Sequence, residues 1–134
     1  MKLDRKHYHQ KQQEWGFTLI EIMVVVVIIG LLAGLVGPRI FRNLERANRE
    51  TARTQMANMK TALATYRLDM GRYPDNINCL VNPCGDGWDG PYLDSDAIPL
   101  DPWNNPYQYS VRDNGRSFTL TSTGGGDETI VVQG

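Results

Sequence analysis

From Phe17 to Gly37 the chain is apolar at almost every position, FTLIEIMVVVVIIGLLAGLVG, with one charge at Glu21. About 20 such residues suffice to cross a bilayer as a helix. Beyond Pro38 the pattern changes. Arg39, Arg42, Arg46, Arg49 and Arg53 alternate with Glu45 and Glu50, and Glu45–Arg49 and Arg46–Glu50 are four apart, the spacing of surface pairs on a helix. From Ala52 a stripe appears: Ala52, Met56, Met59, Leu63, Tyr66 and Met70. Steps of four and three put it on one helical face, predicted to pack against the rest of the chain. Gly71 is the expected C′ residue, and Pro74 prevents the helix from resuming. A helix from Phe17 to Met70 would be about 80 Å long. Gly30, Gly34, Gly37 and Pro38 weaken it near its middle, where a kink or a locally melted segment is expected.

Residues 71–106 hold no period. They are rich in Gly, Pro, Asp and Asn, which predicts a loop region with acids such as Asp86, Asp89, Asp94, Asp96 and Asp101 forming turns. Alternation returns at Tyr107–Val111 and Ser117–Thr121, with Asn114-Gly115 between them as a type I′ hairpin signal. Tyr107, Tyr109, Val111, Phe118 and Leu120 share the face predicted to meet the helix stripe. Gly124–Gly126 precedes a last short strand, Thr129–Val132. The expected fold class is α+β, one long helix laid on a small antiparallel sheet.

Charge adds direction. The leader, residues 1–16, holds Lys2, Arg5, Lys6 and Lys11 against Asp4 and Glu14. A cationic excess before an apolar run keeps the amino end in the cytoplasm and sends the remainder across. Without the leader the chain has 10 Lys+Arg and 13 Asp+Glu, net −3, which argues against general nucleic-acid binding. The two cysteines, Cys79 and Cys84, are spaced C-x4-C, and both histidines lie in the leader. That composition disfavours structural zinc, and an exported head makes a Cys79–Cys84 disulfide the expectation. No nucleophile and base can be paired in the head, so no enzyme is expected. Glu21 stands out, because a carboxylate in a membrane helix costs about 2.5–3.5 kcal/mol on insertion scales, while its place one turn in also allows it to reach the headgroups.

The junction Gly16-Phe17-Thr18-Leu19-Ile20-Glu21 resembles the leader junction of the type IV pilin-like superfamily. That resemblance implies cleavage between Gly16 and Phe17 by a prepilin peptidase and methylation of the new Phe17 amine. It also implies assembly roles for Glu21, paired with a neighbouring subunit's amine, and for Pro38. The blocks Leu68-Asp-Met-Gly-Arg-Tyr-Pro74, Gly90-Pro-Tyr-Leu93, Pro99-Leu-Asp-Pro-Trp103 and Pro106-Tyr-Gln-Tyr109 resemble the major pseudopilins of type II secretion systems. The organisation this implies is a cleaved leader at 1–16, a membrane and assembly segment at 17–38, and a periplasmic head at 39–134. The implied role is structural: a single-pass inner-membrane subunit, amino end in the cytoplasm, that homo-oligomerises into a helical periplasmic filament. It would work with minor pseudopilins and an inner-membrane assembly platform to drive folded proteins through an outer-membrane secretin. The alternative is a type IV pilin of a surface fibre. Calcium binding by the final loop, frequent in that family, would here fall to Asp127 and Glu128, with carbonyls or Asp94 or Asp96 adding ligands.

Overall fold

The computed structural model describes residues 15–126 and 128–134. The apolar run and the amphipathic stripe form one helix, α1 (Leu19–Met70), whose hydrogen-bonded assignment continues through Pro38. The locally melted segment expected there is absent from this state. The chain divides into two units, one ending at Arg39 and the other running Ile40–Gly134.

In the second unit the stripe does what its spacing requires. Ala52, Met56, Met59, Ala62, Leu63 and Tyr66 are buried, and all of these but Ala52 join Tyr73, Leu80, Tyr107, Phe118 and Leu120 in one core, with Met70 packed at its edge. Gly71 ends the helix with φ +77° and donates its N–H to the Arg67 carbonyl at 2.8 Å. Only glycine takes that backbone without a Cβ penalty.

The region 71–106 holds one regular piece, a 3₁₀ turn at Ile77–Leu80, capped by Asn76 Oδ1 accepting from Asn78 N at 2.9 Å. Cys79 and Cys84 are joined in a disulfide with Cα atoms 5.4 Å apart. Aromatic contacts fasten this stretch to the helix. Trp88 Nε1 donates to the Cys79 carbonyl at 2.7 Å, and the Tyr92 hydroxyl donates to Asp69 at 2.9 Å. The Tyr92 ring meets Tyr66 edge-on at 5.3 Å. The Gly90–Pro91 peptide is cis.

The sheet contains β1 (Gln108–Arg112), β2 (Ser117–Ser122) and β3 (Ile130–Gln133), antiparallel in the order β1-β2-β3. Tyr109 opposes Leu120 and Val111 opposes Phe118, so the inward face is the one alternation predicts. The turn differs by one residue. Arg112 pairs with Ser117, and Gly115 N donates to the Arg112 carbonyl at 3.1 Å. Asp113 and Asn114, with φ 53° and 57°, are thus the central pair, and Gly115 follows at φ 83°. Asp and Asn tolerate the left-handed region, which lets the pair move forward and leaves glycine to close a four-residue loop. The last strand also begins one residue later than expected.

Candidate assembly surfaces

The amino-terminal unit presents an apolar helix without cover. Leu19, Ile20 and the apolar side chains from Ile22 to Val36 are exposed, and this stretch is long and apolar enough to cross a membrane. At its start, Thr18 is the N-cap. Glu21 N donates to Thr18 Oγ1 at 3.3 Å, while Thr18 N donates back to Glu21 Oε2 at 3.2 Å. Thr18 Oγ1 also lies 3.4 Å from that carboxylate oxygen. This is a capping box, in which N-cap and third helical residue satisfy each other's amide. Glu21 therefore has a local role besides its charge. The signal was present as Thr-x-x-Glu directly before an apolar run.

In the second unit the final loop is fixed to the helix by groups far apart in sequence. Arg49 pairs with Glu128 at 2.6 Å and approaches Glu45 at 3.7 Å. The expected Arg46–Glu50 pair does not form; Glu50 takes Arg53 instead, at 2.9 Å. Trp103 Nε1 donates to Glu45 Oε2 at 3.3 Å, and its indole lies against Gly124 and Gly125 so closely that a Cβ on either would enter the ring. Glu45 Oε1 is buried and accepts no hydrogen bond among the described residues.

Beneath the loop, Asp101 organises residues 101–105. Its Oδ1 accepts from Trp103 N at 3.1 Å and Asn105 N at 2.8 Å, and its Oδ2 accepts from the buried Ser122 hydroxyl at 2.8 Å. Of the five acids expected to shape turns, Asp101 alone accepts side-chain hydrogen bonds among the described residues. Asp86, Asp89, Asp94 and Asp96 are exposed. The Asp101–Ser122 link crosses 21 residues and left no local mark in the sequence.

The metal reading fits these groups poorly. Asp127 lies outside the described residues, and Glu128 is engaged by Arg49. Among the described residues no three carboxylate, histidine or cysteine groups converge. Calcium asks for 6–8 oxygen ligands. The Arg49–Glu128 pair ties the loop to α1.

Tyrosine protonation follows burial. Desolvation pushes Tyr107 up to about 12, with the Asp101 charge adding to it, and raises Tyr109 further. Tyr107 donates to Gln55 Oε1 and Tyr109 to the Pro74 carbonyl. Both hydroxyls are structural donors across the core.

Comparison with known proteins adds identity to this geometry. Residues 39–130 match the family described as type II secretion system protein G, and residues 16–37 match the prokaryotic N-terminal methylation motif. A relative from Pseudomonas aeruginosa, type II secretion system core protein G, is 42% identical over 125 residues, 86% of each chain. The protein of that name from Aeromonas hydrophila is 42% identical over 106 residues, 74% of each chain. A crystal structure of the major pseudopilin of enterohaemorrhagic Escherichia coli shares the fold, with TM-score 0.55 and 24% identity over 70% of this chain and 93% of that one. A matched head, a methylation motif over the capped apolar helix, and relatives aligned along most of their length converge on one assignment: the chain belongs to the type II secretion system protein G family.

Proposed function

We propose that this chain is a membrane-anchored structural subunit of a type II secretion pseudopilus, and that it carries no catalytic role. The observation that carries the reading is the succession, in one polypeptide, of a methylation motif at 16–37 and a protein G head at 39–130. The uncovered apolar helix fits it, because such a surface needs either lipid or neighbouring helices. The relatives named above are secretion-system proteins, which does not favour the surface-fibre alternative.

In this reading a prepilin peptidase cuts between Gly16 and Phe17, and the Phe17 amine is methylated. The cationic leader holds the amino end in the cytoplasm and the head lies in the periplasm. Residues 17–38 store the subunit in the inner membrane. An assembly platform then transfers it into a helical filament with other copies and minor pseudopilins, and growth of that filament drives folded proteins toward a secretin. Glu21 pairs with the Phe17 amine of an adjacent subunit. A buried pair of this kind loses about 3–5 kcal/mol when one partner is removed, enough to set axial register. Pro38 supplies the place where the helix can yield under extraction.

The test is the intact mass of the protein from membranes of a host with active prepilin peptidase. A mass beginning at Phe17 with one added methyl and two hydrogens fewer supports processing and the disulfide together. A mass that retains Met1–Gly16 refutes the reading.

A further inference from the structure

The charges of this chain are segregated. Between Arg72 and Arg112 there is no lysine or arginine, while six aspartates occur there. On α1, Arg42, Arg46, Arg49 and Arg53 fall within an arc of about 60° at the helical period. Arg49 and Arg53 have carboxylate partners. Arg42 and Arg46 are exposed and form no ion pair among the described residues.

The receiving surface lies higher on the same unit. A groove of about 360 Å³ runs between α1 and the 92–99 loop, and Asn58, Thr61, Thr65, Asp94 and Ser95 contribute polar groups to it. Gln55 and Asn58 bring amide donors to it, while its three hydroxyls are spent as donors elsewhere. Thr61 Oγ1 donates to the Ala57 carbonyl and Thr65 Oγ1 to the Thr61 carbonyl, each at 3.1 Å. Both hydroxyls have therefore used their protons and offer only lone pairs. Ser95 Oγ likewise donates to the Ala97 carbonyl at 2.7 Å. Asp94 adds an exposed carboxylate that accepts no hydrogen bond from another described residue. Hydroxyl lone pairs beside one carboxylate suit a cationic donor, and guanidinium carries five donors and no acceptor.

We propose that this groove receives Arg42 or Arg46 of a second copy of the chain, with Asp94 as the paired carboxylate. The proposal rests on the pseudopilus reading. The two surfaces are different patches of one molecule, so the contact is head-to-tail, and a head-to-tail contact that does not close on itself builds an open helical array. The two unpaired arginines, Arg42 and Arg46, span about 6 Å of helix rise, so anionic headgroups are the competing occupant, which the Asp94 variant separates because lipid has no use for that carboxylate.

The experiment measures filament mass, by sedimentation and electron microscopy, from a host carrying the assembly system and producing the full chain. R42E/R46E and D94K are each expected to lower filament mass about tenfold or more, since like charges are then opposed. The combination R42E/R46E/D94K is expected to restore it to within about threefold of wild type, because the attraction is re-formed with reversed sign. All three positions are exposed, so the Cys79–Cys84 bridge and removal of residues 1–16 must be unchanged in every variant. Failure of the triple variant to recover overturns the proposal, as does a D94K chain that assembles like wild type. Loss in R42E/R46E with D94K unaffected assigns the arginines to lipid or to another protein and overturns it too. A wild-type chain that is processed but forms no filament removes the pseudopilus reading itself, which separates the two failures.

Discussion

Asp101→Ala is the perturbation for which the structure supplies the sharpest magnitude. Asp101 is 4% exposed and Ser122 is 0% exposed. The carboxylate holds three donors, two amides and one hydroxyl, and the loop it shapes closes on itself through Asp101 N to the Asn105 carbonyl at 2.8 Å. Hydrogen bonds to a charged group are worth about 1.5–3 kcal/mol each. Asn105 is exposed and Trp103 half-buried, so water replaces part of what their amides lose; the Ser122 hydroxyl lacks that recourse. Alanine should therefore cost about 3–5 kcal/mol, a large share of the usual 5–15 kcal/mol of a domain. Asp101→Asn leaves an acceptor for both amides, and the new NH₂ would face a Ser122 hydroxyl turned to accept, so this variant should cost only about 1–2 kcal/mol. Urea unfolding of the detergent-solubilised full chain, followed by tryptophan emission, reads both. Trp103 sits on this loop, so Asp101→Ala should also shift native emission to the red. An alanine variant within about 1 kcal/mol of wild type would refute the account, because no unsatisfied group then exists. So would an asparagine variant as unstable as the alanine one.

Replacing both Cys79 and Cys84 with serine should cost about 2 kcal/mol, the chain-entropy value for so short a loop, and reductant should lower the wild-type urea midpoint to that of the variant. Gly124→Ala places a methyl in the Trp103 ring and should destabilise by about 1–3 kcal/mol through overpacking, read by the same unfolding curve. On the alkaline side, Tyr107 keeps its proton in the folded chain up to about 12 while the unfolded value is 10.0. The unfolded state thus binds fewer protons in that window, and stability should be intact below pH 10 and fall as pH rises toward 12. Tyr107→Phe should flatten that fall in a pH series of urea midpoints. At the helix start, Thr18→Ala removes the cap and keeps the charge, whereas Glu21→Gln keeps a side-chain acceptor and removes the charge. If the pairing role of Glu21 is correct, filament yield should collapse in Glu21→Gln and fall far less in Thr18→Ala, whose backbone amide still holds the carboxylate.

The helix stripe and the inward faces of β1 and β2 were legible because each is a periodic consequence of one packing surface. Met56, Met59, Leu63 and Tyr66 announce their face by spacing, and Phe118 and Leu120 announce theirs by alternation. The turn was legible only to within a residue, since Asp113, Asn114 and Gly115 all accept left-handed backbone and the strand register chooses among them. The groups that bind the final loop were hidden for a different reason. Trp103 and Glu45 are 58 residues apart, and no local pattern distinguishes Glu45 from Glu50, which takes a neighbouring arginine. The acids of the 71–106 region fall largely where composition put them, with Asp86 in a turn and Asp94 and Asp96 in bends. Composition did not distinguish Asp101, which is buried, from the other four, which leave their carboxylates at the surface.

The same division explains why Glu21 carries so much of the proposed assembly step. Moving an apolar helix face from lipid to neighbouring helices changes its surroundings little, because lipid tails are as apolar as the side chains that would replace them. The exposed stretch from Ile22 to Val36 thus gives little direction to transfer out of the membrane. A carboxylate does discriminate. In lipid, Glu21 has the Thr18 amide and hydroxyl, which share one of its oxygens, and Oε1 takes no hydrogen bond among the described residues. In the proposed helix bundle that second oxygen would meet the new amine of a processed neighbour, in a low-dielectric setting where the attraction is strong. The capping box then has a consequence beyond the helix end: it fixes the carboxylate's rotamer before assembly, so the pairing step orders one group instead of two. Unprocessed chains, in which the Phe17 nitrogen is still an amide, would present no cation to Glu21. On this proposal, leader removal and filament entry would be coupled through that one charge.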